Sequence, residues 1–343
     1  MTLAPDTPLE LLEEVVIAGA PGRHRHSSSC VALPDGELLV WATEATGVYP
    51  TRNGVLLQWR SLDGGRTWEP PVAAYAVPDW TAMGLAGLRR TGDTLLGFLG
   101  RLRSQAATSM ADIFQESATH LARSTDGGRS WSDLGAPLGF EPGLLEVFGP
   151  GSPIRTADGL LFSACILPDA TAEWYAATFL TDDAVTQLRD LRVVARTPGL
   201  QYSDIDLVRR ADGALVGVIR EDTPPRYGLV GVESLDEGRT WSAPWLLDIR
   251  GASHALRVLA DGSIAIVYRD REEGRPGLSL AISRDGGRTY TFAGQVHAAR
   301  GPFLGWPAWA DLPDGTLGLV YCTAVVDGES ELRFARLRDR SVG

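Results

Sequence analysis

Two arginines close apolar runs in the segments GALVGVIRED and GSIAIVYRDR, at Arg220 and Arg269. A guanidinium in such a place is seldom left without an anion, because its charge is costly to take out of water. Each lies seven residues after a turn glycine, Gly213 and Gly262, so the two should stand at equivalent places in neighbouring repeats. The same count from other turn glycines brings up Thr43, Ile166 and Cys322, with Glu44 and Arg101 one place further on. Nine or ten residues before the turns stand His26, Ser203 and Asp204, Ser253 with His254, and Trp306. In an antiparallel hairpin the start of one strand and the end of the next share a rim, so these groups should converge. The alternative for the arginines is pairing with Glu221, Asp222 or Asp270 as solvated surface charges.

The elements that would position these groups come from two repeats running in phase. Asp-Gly turns end at Gly36, Gly159, Gly213, Gly262 and Gly315, with a Gly-Asp variant at Asp93. Glycine adopts the positive backbone dihedrals that tight hairpins need, and an apolar, partly β-branched run follows each turn: ELLVWAT, TLLGFLG, LLFSACI, ALVGVIR, SIAIVYR and TLGLVYC. The second repeat is Ser-x-Asp-x-Gly-Arg-Thr/Ser-Trp/Tyr, beginning at Ser61, Ser124, Ser234 and Ser283, with a degenerate copy from Thr181. Its Ser and Asp can accept backbone N–H bonds and its aromatic can pack between sheets, so the turn reads as a fastener.

Six units of short antiparallel strands predict an all-β, six-bladed propeller with four-stranded blades. The expected blades are about 24–75, 76–145, 146–198, 199–248, 249–298 and 299–343. The last unit lacks a strand, and the apolar stretch at 10–19 should complete it, closing the ring in a single domain and removing its open edge.

Composition narrows the partners. The 343 residues carry a net charge of −11, which argues against a nucleic-acid or anionic-membrane binder. There is no lysine, so every basic residue apart from histidine is arginine, and only arginine position carries information. Cys30, Cys165 and Cys322 lie in or beside strand runs without metal-like spacing and read as buried thiols. No phosphate-binding loop, Cys/His cluster or nucleophile elbow is present, so no cofactor and no metal is expected. HSSSC offers hydroxyls beside His26, but successive strand residues face opposite ways and do not form a triad. The N-terminus lacks a basic start and a long apolar core, so the expected address is cytoplasmic, with secretion left open if the chain was trimmed.

The Asp turns with their in-phase hairpins resemble the bacterial neuraminidase repeats of the sialidase superfamily, over nearly the whole chain. That resemblance implies three arginines on a substrate carboxylate, a tyrosine nucleophile assisted by a glutamate, and an aspartate acid/base. YSDIDLVRRADGALVGVIR is similar to the stretch holding the assisting acid and the second arginine, which implies Asp204 and Arg220. GRPGLSLAISRDGG is similar to the third-arginine region, which implies Arg275, with Arg269 as a neighbouring candidate. GWPAWADLPDG matches the nucleophile stretch but puts Trp306 there, and an indole cannot serve. HRHSSSCVALPDG puts His26, preceded by Arg25 and Arg23, where the family has Arg-Ile-Pro. Glu44 is the nearby acid and Tyr49 the nearby phenol.

Three readings follow. One is a hydrolase of an acidic sugar, with Arg220 and Arg275 or Arg269 on the carboxylate and Asp204, His26 or Glu44 in acid/base roles. Another is a uronic-acid lyase using His26, His254 or Tyr202. A third is a non-catalytic glycan- or protein-binding propeller in which Trp306, Trp80 and Trp309 stack on sugar faces. The alternative for each histidine is a satisfied structural role, and for the tryptophans, packing between blades.

Overall fold

The computed structural model describes all residues except 47–51, 104–116, 137–144, 147–152, 167–172, 186, 300–304, 324–328 and 342–343. The apolar runs are strands buried on both faces, and this explains why they read as near-continuous hydrophobic stretches. In strand Leu38–Thr46, Leu38, Val40 and Ala42 pack toward one neighbouring sheet while Leu39 and Trp41 pack toward the other. Repeated around the molecule, this alternation gives six apolar clusters, one between each pair of adjacent sheets. Between blades 2 and 3, for example, Phe162 stacks on Phe179 at 5.4 Å and Phe98 meets both edge-on.

The sheets are the six predicted blades. From the channel outward, blade 1 is His24–Ala32, Leu38–Thr46, Arg52–Ser61 and Val72–Tyr75, and blade 2 is Trp80–Thr91, Thr94–Arg103, Ser117–Ser124 and Ser132–Asp133. In blade 3, Leu145–Glu146 and Ile154–Thr156 both pair with Gly159–Ile166, followed by Tyr175–Thr181 and Arg189–Ala195. Blade 4 is Tyr202–Arg209, Leu215–Glu221, Gly228–Ser234 and Trp245–Leu246, and blade 5 is Gly251–Val258, Ile264–Asp270, Gly277–Ser283 and Thr291–Ala298. Blade 6 is Gly305–Asp311, Leu317–Cys322 and Leu332–Asp339, and the N-terminal strand Leu9–Ala18 completes it, as expected. The short strand Thr2–Leu3 adds outside blade 5, a pairing the repeat gave no sign of. Among the described residues there is no helix.

Each Ser-x-Asp turn caps a third strand, which ends at Ser61, Ser124, Ser234 or Ser283. In the first, buried Ser61 donates to Asp63 at 2.8 Å and accepts from the Gly65 amide at 2.7 Å, while Asp63 accepts from the Thr67 amide and hydroxyl. The aromatic then reaches the preceding blade. Trp131 donates to Gln58 at 2.9 Å and meets Trp41 edge-on, while Trp68 packs on Phe334. These turns are structural fasteners, remote from the channel mouth.

Candidate functional site at the channel mouth

The inner strand of five blades starts with a β-bulge, which leaves one residue in the left-handed region: Ser27 (φ 55°), Gly84 (125°), Asp204 (32°), Ser253 (43°) and Trp306 (48°). A bulge re-aims a side chain out of the strand alternation, and a left-handed non-glycine residue costs ~1–3 kcal/mol. Four blades carry that strain at one level of the channel. At the fifth, glycine is required by space as well, because a Cβ on Gly84 would lie 2.7 Å from that of Ser27.

The bulge in blade 4 turns Asp204 onto Arg220, the end residue of the adjacent strand. Arg220 donates to Asp204 at 3.0 Å and to Asp222 at 2.7 Å, and Ser203 donates to Asp222 at 2.6 Å. Burial alone would raise the Asp204 carboxyl, but Arg220, His254 and Arg269 outweigh it and hold it below the usual carboxylate range. Burial would likewise lower Arg220, and its two carboxylates lift it further instead. Arg220 is therefore a saturated cation.

Arg269, the equivalent residue in blade 5, is in the opposite condition. Among the described residues it makes no ion pair, and its buried Nε has no hydrogen-bond partner. Burial, then the neighbouring cations Arg220 and Arg271, push it down from the ordinary guanidinium value to about 9, so it is charged at neutral pH but poorly compensated. Arg271, two places on along the same face, is lowered by burial and by Arg220, and lies 5.4 Å above the Tyr227 ring. Three guanidiniums thus share two carboxylates.

His254 follows the bulged Ser253. It contacts the Val218 carbonyl through Nε2 at 2.9 Å, which makes Nε2 the donor and leaves the buried Nδ1 without a hydrogen-bond partner. Burial lowers its pKa against the pull of Asp204, so the ring is neutral. Trp306 is half-buried at its bulge with its ring 5.8 Å from that of His26. His26 is fully buried, contacts Ser27 Oγ through Nδ1 at 2.9 Å, and is pushed down to about 3 by burial and by His24.

Four other expected site residues are held away from this cluster. Arg275 is drawn outward by the buried Asp270 at 2.7 Å and by the Phe292 ring at 4.2 Å, so the third-arginine match lies on the outer face of blade 5. Arg25 is almost wholly buried, donating to Glu44 at 2.5 Å and to the Ser330 carbonyl at 2.9 Å, and it braces blade 1 against blade 6. Glu44, also near Arg23, is thereby engaged as half of an ion pair rather than left as a free acid. Tyr202 is buried in the core between blades 3 and 4, with its hydroxyl 3.2 Å from Thr197. Tyr49 lies outside the described residues. Trp80 carries the Arg101 guanidinium at 4.1 Å, and Trp309 lines the channel below the mouth.

Sequence reasoning missed Arg271; it named Asp204 and Asp222 as neighbours of Arg220 in separate readings, and the structure has both on it at once. Arg271 was signalled by the period-two pair in YRDRE. Among the described residues, no group of three or more His, Cys, Asp or Glu is gathered as a metal would require.

Six blades, four of them fastened by Ser-x-Asp turns, with a polar cluster at the channel mouth, define a sialidase-type β-propeller. The sequence profile described as BNR repeat-like domain matches residues 91–322, and the chain belongs to that family. It is 25% identical to a sialidase of Micromonospora viridifaciens over an alignment of 356 positions, covering 92% of this chain and 52% of the relative. The chain thus spans about half the length of that curated relative. Among solved structures, a protein of unknown function from Dyadobacter fermentans superposes with a TM-score of 0.80 at 18% identity, covering 97% of this chain and all of the other. An α-L-arabinanase from Penicillium chrysogenum, complexed with arabinobiose, gives 0.68 at 16%, over 97% of this chain and 100% of the arabinanase. The intramolecular trans-sialidase of Ruminococcus gnavus, in complex with oseltamivir carboxylate, gives 0.66 at 17%, over 93% and 96%. These superpositions show a shared fold.

Proposed function

We propose that this sialidase-like propeller takes a carboxylate-bearing sugar at its channel mouth, and that Arg269 is the group that meets the carboxylate. The observation that carries the reading is the undercompensated Arg269 beside an Arg220 already holding two carboxylates. A ligand carboxylate would supply the missing anion, and each charge-assisted bond contributes roughly 1.5–3 kcal/mol. Trp306 offers a ring face to the sugar. The sialidase relative supports an acidic sugar, and the arabinanase neighbour supports carbohydrate in general.

Hydrolysis of the bound glycoside is the reaction for which the remaining groups are suited. Asp204 is held ionised and His254 keeps a neutral Nδ1 with no hydrogen-bond partner among the described residues, so either could take a proton from water attacking the anomeric carbon in place of a tyrosine nucleophile, while solvent at the open mouth protonates the leaving glycosidic oxygen as its bond breaks. The test is incubation with sialosides and uronic-acid glycosides, with products read by mass spectrometry, beside binding of the same compounds. Release of a free acidic sugar, lost in Asp204→Asn, supports hydrolysis. A product lighter by one water would indicate a lyase, and binding without turnover would leave a lectin-like propeller. Absence of both binding and turnover across the panel would refute the reading.

A further inference from the structure

Below the mouth the channel holds a cavity of about 530 Å³, which neither the family resemblance nor the mouth site uses. It is lined by the second halves of inner strands, at 30–32, 206–209, 255–258 and 309–311, and so lies toward the end bearing the Asp-Gly turns. Its volume falls in the range of small-ligand sites.

Donors, acceptors and a ring face are all present. Asp206 is buried on the wall, and its two oxygens accept the Leu207 and Leu256 amides, leaving lone pairs on each. Burial, only partly offset by those amides, pushes it up to about 7. Arg257 donates to Asp311 at 2.8 Å, while its buried Nε has no partner among the described residues. Arg209 is held by Glu237 at 2.6 and 2.9 Å. Arg90 is exposed and makes no ion pair among the described residues. The half-buried Trp309 adds its indole, anchored by a bond from Nε1 to the Ala255 carbonyl at 3.4 Å.

The charge balance decides the ligand class. Arg209 and Arg257 are already committed to Glu237 and Asp311, which leaves Arg90 as the one uncommitted guanidinium among the described lining residues, so the cavity has no pair of free guanidiniums to clamp an anion. Unfilled N–H donors, carboxylate acceptors and an aromatic face together match a ring carrying several hydroxyls. We propose that this end of the channel is a second saccharide site, taking a neutral mono- or disaccharide unit, distinct from the acidic-sugar site at the mouth.

The experiment is saturation-transfer NMR on the full chain with glucose, galactose, arabinose and lactose, followed by calorimetric titration of any sugar that responds. Inorganic phosphate and glucuronic acid serve as the anionic probes. The expected result is that a neutral sugar binds, weakens about ten-fold or more in Arg90→Ala and in Asp206→Asn, and is unchanged in Arg269→Met. Arg90 is exposed, so its variant separates lost contacts from lost folding. Three results would overturn the proposal: no response from any neutral sugar at millimolar concentration, a neutral-sugar response abolished by Arg269→Met, or phosphate or glucuronic acid as the only probe whose binding depends on Arg90.

Discussion

Arg220 and Arg269 stand at the same place in consecutive blades, each paired across its hairpin with the residue at the foot of a bulge, Ser203 and Ala252. One is held by two carboxylates and the other, among the described residues, by none. Equivalent backbone positions thus carry opposite electrostatic states, because blade 4 bulges an aspartate onto its arginine whereas blade 5 bulges a serine.

The two arginines should therefore respond oppositely to substitution. Arg220→Met strands the Asp204 and Asp222 charges and should lower unfolding free energy by ~3 kcal/mol or more. Arg269→Met removes a poorly compensated charge and should leave stability unchanged or higher. Chemical denaturation of both variants checks this, and a larger loss in Arg269→Met would contradict the assignment.

Asp206 makes a prediction about pH. Its carboxyl titrates near 7 when folded, above the ordinary unfolded value, so the folded state binds more protons between about pH 4 and 7. Stability contributed by this group is complete below that window and declines as pH rises through it. Asp206→Asn should lose this slope, so its thermal midpoint should gain on the wild type between pH 5 and pH 8. Parallel curves would show that the group does not titrate there.

The turn fasteners should matter to stability and not to ligand binding. Ser124→Ala leaves the Gly128 amide without its acceptor and removes a donor to Asp126. An expected cost of ~1–3 kcal/mol follows, with sugar affinity at the mouth unaltered. A selective loss of binding would mean that the turns do more than hold blades.

Trp306→Ala should weaken sugar binding about ten-fold while sparing the fold, since the ring is half-buried and its backbone, not its side chain, receives the Ser28 hydroxyl. Equal affinity in the variant would remove Trp306 from the site.

Closure of the ring was legible in the sequence because the last unit ran out of strands and an apolar stretch waited at the other end. The blades were legible because Asp-Gly and Ser-x-Asp turns have local chemistry that needs no tertiary context. The site was only partly so. Counting from turn glycines put Asp204 beside Arg220, but blade 1 bulges at Ser27, one residue past His26, and no local pattern marks that extra residue. Arg275 matched a family stretch, yet Asp270 turns it outward. Arg25 and Glu44 looked available because the Ser330 that helps seal Arg25 lies 305 positions away in sequence.

The most direct measurement is calorimetric titration of the wild type and Arg269→Met with the sialoside and uronic-acid panel, under conditions where both are folded. The account predicts that at least one carboxylate sugar binds the wild type and that its affinity falls by at least about ten-fold in the variant. Undiminished binding by Arg269→Met would contradict it.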